Sequence, residues 1–124
     1  MGSKELESKV QKKMMNTIKK YDGYVYKNAQ NIYTERGRPD LTACIPVKMS
    51  TLKEIYKDDD IVGIYVSVEV KRDKDTYDAT EAQEVVGRQI QKAGGIWVAT
   101  DDPDLIVALM IALRGSDAIQ WLYK

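Results

Sequence analysis

The sequence predicts an α/β fold in which helices cover the faces of a mixed sheet. Three segments carry apolar residues at helical spacing, and four short runs of β-branched and apolar residues have the length of strands. Their order is helix, three strands, helix, strand, helix, which is typical of a sheet with helices on its faces. The 124 residues provide for one modest core, so residues 1–124 are interpreted as a single domain.

The sequence marks some of these elements more clearly than others. The clearest strand is "IYVSVEVKR", which alternates between two faces and is rich in valine. The least clear part is segment 48–63, interpreted as an elaborated connection with a helical turn over 51–56. Helices are also predicted over 5–21 and 80–93, from the capping aspartate and proline of "DDPD" to about Arg114, and after Ser116. The predicted strands cover 24–28, 41–47, 64–72 and 96–100.

The composition excludes several classes of enzyme. No histidine is present, which excludes Ser-His-Asp and Cys-His catalysis and imidazole metal ligands. Cys44 is the one cysteine, which excludes an intramolecular disulfide and a zinc–thiolate site within one chain. It lies in an apolar run and is interpreted as a buried, inert thiol. Any enzyme chemistry would therefore rest on carboxylates, lysine and an oxygen-liganded metal.

The single cysteine and the lack of a long apolar run predict a protein of the reducing cytoplasm that has no membrane partner. Basic and acidic residues balance at 19 each, so the net charge gives no argument for nucleic acid. Six lysines nevertheless crowd the first 20 residues. They form either a solvated helix face or a surface for phosphate groups, for which Lys12 and Lys13 are candidates.

Asp40 lies where the turn Gly37-Arg38-Pro39 leads into the strand 41–47. Its carboxylate either caps that turn or is held at the mouth of the sheet to bind a ligand. Glu69 and Lys71 share one face of the next strand, roughly 6–7 Å apart along it. Taken alone, these two residues are better interpreted as part of a cross-strand ion pair on a solvated sheet face.

The relation between the two strands changes this interpretation. Strands that follow each other in sequence commonly pair, and antiparallel pairing would bring Asp40 near Glu69. Two carboxylates at close range repel each other unless a hard divalent cation lies between them. With Lys71 beside them, the set suits a reaction that develops negative charge on oxygen, above all phosphodiester hydrolysis.

Pro39-Asp40 followed by Glu69-Val70-Lys71 resembles the signature of the PD-(D/E)XK nucleases, and the predicted order resembles their restriction-endonuclease-like core, αβββαβα. The chain looks like the VRR-NUC branch of this superfamily. That branch has a Gly-X-Pro-Asp turn, then Glu-X-Lys, then a helix that begins with glutamine (Gln83) and ends in a glycine pair (Gly94-Gly95). The resemblance extends from about Glu5 to Leu113.

The resemblance implies a role for each matching residue. Asp40, Glu69 and the main-chain carbonyl of Val70 would bind Mg²⁺ or Mn²⁺. Lys71 would orient the attacking hydroxide and stabilise charge on the phosphate. Glu7 matches a glutamate of the first helix and would bind the metal directly or through water.

Further residues carry weaker implications. Gln83 would position Lys71 or the phosphate, whereas Lys27 and Arg38 would contact nucleic acid. Glu7 and Gln83 are interpreted equally well as exposed polar residues, and Lys27 is better interpreted as a surface lysine. Segment 48–63 is longer than the hairpin expected between the motif strands, so it either shapes substrate access or forms a dimer element.

The implied function is a Mg²⁺- or Mn²⁺-dependent DNA endonuclease. Small members of the branch resemble phage nucleases and Holliday-junction resolvases, which implies a homodimer acting on branched DNA in a bacterial cytoplasm. A chain this short has little room for a separate specificity domain, which favours recognition of structure over sequence. Two alternatives stay open: a catalytically inactive nuclease-like module for DNA binding or assembly, and a small carboxylate-based hydrolase of other substrates.

Overall fold

The computed structural model describes residues 3–30, 36–70 and 80–115. Over these ranges the protein is a small α/β structure with four helices and two two-stranded sheets. The α/β class and the chain order of the predicted elements are confirmed, and the helical turn predicted over 51–56 belongs to a seven-residue helix, α2. The elements are α1 (Ser3–Lys20), β1 (Tyr24–Lys27), β2 (Leu41–Cys44), α2 (Met49–Ile55), β3 (Val66–Val70), α3 (Glu81–Lys92), β4 (Ile96–Thr100) and α4 (Pro103–Arg114).

The strands do not form the one mixed sheet that the sequence predicted. Within the described ranges, β1 pairs antiparallel with β2, and β3 pairs parallel with β4. The expected ladder between β2 and β3 is absent from these residues. Both strands are shorter than predicted: β2 ends at Cys44, before Pro46, and β3 begins at Val66. A proline cannot donate to a ladder, which prevents β2 from extending as a paired strand.

Helix α1 packs through a stripe that shares only Ile18 with the predicted one. The apolar spacing predicts a stripe formed by Leu6, Val10, Met14, Ile18 and Tyr21. Of these, Ile18 is partly buried and the other four are exposed, and the remaining less exposed positions are Gln11 and Met15. Gln11, Met15 and Ile18 lie at i, i+4 and i+7, which is also a single helix face. The apolar pattern identified the helix correctly but placed its packed side about one position away.

In helix α3 the sequence places Ala82, Val86, Ile90 and Ala93 on one apolar side. Ile90 and Ala93 are buried as predicted, whereas Ala82 and Val86 are exposed and Gly87 is buried instead. A Cβ at Gly87 would collide with the indole ring of Trp97 on β4. The ring therefore lies directly on the helix backbone, and the face that turns inward contains Gln83 as well as Gly87 and Ile90.

The two sheets and α3 converge on Gly95. A Cβ built there would lie 2.8 Å from Cγ2 of Ile90, 3.1 Å from the ring of Tyr65 and 3.3 Å from Sγ of Cys44. These atoms come from α3, from the residue before β3, and from the end of β2. The buried hydrophobic residues of the described ranges gather here and on β1: Val25, Cys44, Ile90 and Ala93.

The polar groups at this convergence are neutral at pH 7. Burial raises the pKa of the Cys44 thiol, and Sγ lies 3.5 Å from the carbonyl oxygen of Ala93, to which it donates. Burial, assisted by the neighbouring Tyr26, raises the pKa of Tyr65 to about 12. The prediction that Cys44 is buried is confirmed, and its thiol stays in the unreactive protonated form.

Helix α4 begins as the sequence suggested, because the Asp102 side chain accepts a hydrogen bond from the Asp104 amide at 2.9 Å, and Pro103 follows the cap. No helix in the described residues has the length and apolar character needed to cross a membrane. The short helix predicted after Ser116 lies outside the described residues.

The contact between Gly87 and Trp97 gives a test of the packing of α3. In a solvated helix, replacing glycine by alanine stabilises by about 1 kcal/mol. At Gly87 we expect the opposite sign, a loss of about 1–3 kcal/mol, because the new methyl group overlaps the indole ring. Urea unfolding measures this difference. Arg88→Ala, on the exposed side of the same helix, serves as the control and should change stability by less than about 0.5 kcal/mol. A more stable G87A variant would show that Trp97 does not pack on α3.

Candidate active site

Asp40 is held by hydrogen bonds from the end of β1. The amide of Asn28 donates to the carbonyl oxygen of Asp40 at 2.9 Å, which continues the β1–β2 ladder by one residue. The Asn28 side chain is buried, and its Nδ2 donates to the carbonyl of Pro39 and to Oγ1 of Thr42, both at 2.8 Å. One residue therefore fixes the backbone on both sides of Asp40.

The turn before Asp40 has the predicted form. Gly37 adopts φ 82°, a conformation that side chains other than glycine rarely take. Gln30 Nε2 lies 3.3 Å from the carbonyl oxygen of Arg38, to which it donates. Arg38 is exposed, which leaves its side chain accessible to a ligand. The loop thus presents Asp40 at the surface, beside a cation, on a backbone tied to β1.

Asp40 lines a polar cavity of about 250 Å³ together with residues of α1 and β1. Glu7 and Gln11 come from α1, one turn apart on the same face, and Lys27 comes from the end of β1. The cavity is completed by Ser8 and Gln30. Three residues singled out from the sequence, Glu7, Lys27 and Asp40, therefore share one cavity although they are far apart along the chain.

The donor atoms of this cavity suit a hard cation. Glu7 and Asp40 each bring a carboxylate, and Oε1 of Gln11 is buried without a hydrogen-bond partner among protein atoms. A buried oxygen that lacks a donor is costly unless a cation or water satisfies it. Mg²⁺ is commonly bound by one or two carboxylates, with water and substrate phosphate completing its octahedron. The donors present therefore fit Mg²⁺ or Mn²⁺ in chemical type.

Glu69 lies on β3 and is held by Gln83 from the start of α3. Gln83 Nε2 donates to Oε1 of Glu69 at 2.7 Å. The side-chain carboxamide of Gln83 is itself held in place, because its Oε1 accepts from the main-chain N–H of Thr80 at 3.0 Å. In return, the main-chain N–H of Gln83 donates to Thr80 Oγ1 at 3.2 Å. This reciprocal pair is a capping box. The first turn of α3 thus directs the side-chain amide donor of Gln83 at Glu69.

The structure brings these residues together in two groups rather than one. Glu69 is not among the residues that line the cavity of Asp40 and Glu7. Within ranges 3–30, 36–70 and 80–115, no three acidic or cysteine side chains converge closely enough to hold a metal ion. The two groups nevertheless have a simple relation. Asp40 lies four residues before Cys44, Glu69 lies four residues after Tyr65, and Cys44 and Tyr65 meet at Gly95.

The remaining predicted residues are distributed around these two groups. Val70 ends β3 beside Glu69, with its side chain 70% exposed. Lys12 and Lys13 are exposed on α1 and border a shallow groove that they share with Lys9 and Lys20. Lys71 lies outside the described residues.

Reasoning from the sequence missed three residues that support the site: Asn28, Gln11 and Thr80. A buried asparagine at the end of a strand has no periodic signature, and its role becomes visible only once its hydrogen bonds are known. For Thr80 a signal existed, since Thr-X-X-Gln at the start of a helix is a capping-box pattern. Gln11 could have been found only by knowing which face of α1 turns inward.

Comparison of the chain with models of known protein families, with curated proteins and with solved structures finds no match.

The bond between Gln83 and Glu69 predicts a pH-dependent stability. Gln83→Glu keeps an acceptor for the Thr80 amide, and glutamate is as good as glutamine at this helix position. It also places a second carboxylate against Glu69. We expect a loss of about 1 kcal/mol at pH 7, or roughly 4 °C in Tm, from the lost bond and the new repulsion.

The sign of the pH dependence follows from that repulsion, which raises the pKa of the carboxylate pair in the folded variant. The deficit should therefore shrink as the pH falls towards 4 and the pair takes up a proton. Thermal unfolding between pH 4 and 8 measures it, with Gln89→Glu on an exposed position of α3 as the control. A deficit that does not change with pH would place Gln83 away from Glu69.

Proposed function

We propose that this protein is a metal-dependent DNA endonuclease of the PD-(D/E)XK type, similar to the VRR-NUC branch. Asp40 and Glu69 bind the divalent cation with Glu7 and the carbonyl of Val70, and Lys71 acts on the scissile phosphate. The chain acts as a homodimer on branched DNA.

The observation that carries the proposal is the shared cavity of Asp40 and Glu7. Asp40 was selected from the Gly-X-Pro-Asp turn and Glu7 from the first helix, and the two lie far apart in the sequence. They nevertheless line one space, with Lys27 and an oxygen of Gln11 that has no partner among protein atoms. An unselected pair of surface acids has no physical reason to meet around a polar cavity.

The position of Glu69 supports the same arrangement. Asp40 and Glu69 lie equally far, by four residues, from the meeting point of Cys44 and Tyr65. β2 and β3 form no ladder in the described residues, so binding both acids to one cation requires the two strands to approach each other. Repulsion between the two acids opposes this approach in the metal-free protein, and a divalent cation removes that opposition.

Each residue then has a distinct chemical task. The cation, when bound, supplies Lewis-acid stabilisation of charge on phosphate oxygens. Gln83 fixes one oxygen of Glu69 through its hydrogen bond, which leaves the other oxygen to the cation. Lys27 contributes a positive charge at the cavity, where a phosphate of the substrate would enter. Lys12 and Lys13 lie on α1 and would bind the DNA backbone at a distance from the reaction.

A second candidate function is a nuclease-like module that binds DNA or assembles without cleaving it. The observation in its favour is that no three metal-binding side chains converge in the described residues. Incubation with flap, four-way-junction, nicked and linear DNA, in Mg²⁺, Mn²⁺ and EDTA, separates the two functions. Cleavage that EDTA abolishes supports the endonuclease, whereas binding to these substrates without any cleavage supports the module.

Metal binding should depend on the residues of the cavity. We expect Asp40→Ala, Glu69→Ala and Glu7→Ala each to weaken Mn²⁺ binding, by tenfold or more for the first two, because each removes a charged ligand. Isothermal titration calorimetry measures the affinity. Glu5→Ala is the matched control, since Glu5 lies on α1 but does not line the cavity. If the Asp40 and Glu69 variants bind Mn²⁺ like the parent, these acids do not form the metal site.

Lys71 should affect cleavage far more than binding. Lys71→Ala removes a charge that stabilises the transition state, so we expect cleavage to fall by about 10²–10³-fold. DNA affinity should fall only modestly, since one phosphate contact among several is lost. Fluorescence anisotropy in Ca²⁺ and single-turnover cleavage in Mg²⁺ measure the two quantities separately.

Lys12→Ala is the control for Lys71→Ala. Loss of a contact to the DNA backbone should lower the DNA affinity and the cleavage rate at subsaturating concentrations together. Equal losses of binding and cleavage in the Lys71 variant would reduce Lys71 to a phosphate anchor.

A further inference from the structure

A large apolar surface lies on the side of the molecule formed by the end of β2, α2 and the segment that leads to β3. Ile61 leaves 95% of its side chain in solvent, Met49 65% and Ile45 59%. We refer to this region as the 45–64 surface. Its large apolar members, each at least 43% exposed, are Ile45, Val47, Met49, Ile55, Tyr56, Ile61, Val62 and Ile64.

Helix α2 cannot be stable on this surface by its own interactions. It has seven residues, none of them buried, and no side chain caps its first turn. Isolated helices shorter than about 12 residues are marginal in water even with good helix formers. In proteins, helical stability comes from packing of an apolar face. The face of α2 that contains Met49, Leu52 and Ile55 therefore requires a covering group.

The base of the 45–64 surface is nevertheless well anchored. Sγ of Cys44 contacts the carbonyl of Ala93, and the carbonyl oxygen of Tyr65 accepts from the Ile96 amide at 2.9 Å. Between these two ends lies a cavity of about 500 Å³, lined by residues of β2, α2 and the segment 61–65. The surface is therefore joined at both ends to the packed part of the molecule.

The size of this surface matches one half of a protein–protein interface. An aromatic side chain presents about 150–250 Å² when fully exposed and an aliphatic one presents less, so eight of them at these exposures leave on the order of 500–800 Å². The largest apolar patch of a typical monomer is roughly 300–600 Å². A standard interface takes about 800 Å² from each partner. One partner of ordinary size would thus suffice to cover it.

The charges around the surface indicate which partner fits. The same segment carries the basic residues Lys48, Lys53 and Lys57 and the acidic run Asp58, Asp59 and Asp60. A two-fold contact places one patch against its own copy, so it is favourable only when both signs occur within the patch. DNA would be repelled by the acidic run. A net charge of zero also leaves no overall repulsion between copies.

We propose that two copies of this chain associate through their 45–64 surfaces about a two-fold axis. The apolar side chains of α2 and of segment 61–64 form the centre of the interface. The lysines of one copy face the aspartates of the other at its rim. This assignment locates the interface of the homodimer in the proposed function and in that respect rests on it, whereas its test measures mass alone and does not use the nuclease activity.

The test measures the mass of the intact protein in solution. Sedimentation equilibrium and light scattering at 10–100 µM should give twice 14.1 kDa for the parent. Ile61→Asp should give a monomer, with a dimer dissociation constant at least 100-fold higher than that of the parent. Its circular dichroism should be unchanged, because this side chain makes almost no contact within the protomer. Tyr21→Asp is the control and should stay dimeric, because Tyr21 is 69% exposed and lies in the turn after α1, outside the surface.

A charge exchange tests the symmetry separately. A variant with Asp58→Lys and Asp59→Lys, and another with Lys48→Glu and Lys53→Glu, should each be monomeric because like charges meet at the rim. Mixed in equal amounts, the two should form a heterodimer. A monomeric parent overturns the proposal, as does a dimer that Tyr21→Asp disrupts and Ile61→Asp does not. An Ile61→Asp variant with a disturbed fold also overturns it, since the chain itself would then cover the surface.

Discussion

The convergence on Gly95 is the contact on which the rest of this structure depends. The position admits no side chain, because a Cβ there would meet Ile90, the ring of Tyr65 and Sγ of Cys44 at 2.8–3.3 Å. Ile90 belongs to α3, Cys44 ends β2, and Tyr65 directly precedes β3. No ladder connects the two sheets in the described residues, so this packing contact fixes the end of β2 relative to the start of β3. Its polar groups are neutral at pH 7, which makes the contact insensitive to salt.

Asp40 lies four residues before Cys44, and Glu69 lies four residues after Tyr65. Each acid is supported by a residue with a carboxamide side chain. Asn28 fixes the backbone around Asp40, and Gln83 fixes the side chain of Glu69. Both amides are themselves restrained, the first by burial and the second by the capping box with Thr80. Such restraint reduces the conformational freedom that an acid would lose on binding a cation. The supporting amides are thus as specific to the proposed site as the acids are.

The two proposals concern opposite ends of the same strands. The acids lie towards one end of β2 and β3, and the 45–64 surface lies beyond the other end, past Cys44 and before Tyr65. A dimer formed through that surface would leave the cavity of Asp40 and Glu7 open to solvent in each copy. This separation explains why a long connection between the strands is compatible with the proposed chemistry.

The sequence by itself determined the α/β class, the positions of the helices and strands, and the residue types able to bind a cation. These features are local: periodicity, turn residues and composition depend on neighbours along the chain. It also selected Glu7, Lys27 and Asp40, which share a cavity, and Gln83, which reaches Glu69.

Only the tertiary structure decided which helix face turns inward and which strands pair. Trp97 packs directly against the backbone of α3 at Gly87, so this position belongs to the packed face of the helix. Hydrophobic periodicity does not detect it, because glycine has no apolar side chain. The roles of Asn28 and Gln11 likewise depended on partners far away in sequence. The predicted pairing of β2 with β3 is absent from the described residues, because strand pairing is a long-range choice that depends on everything folded between the two strands.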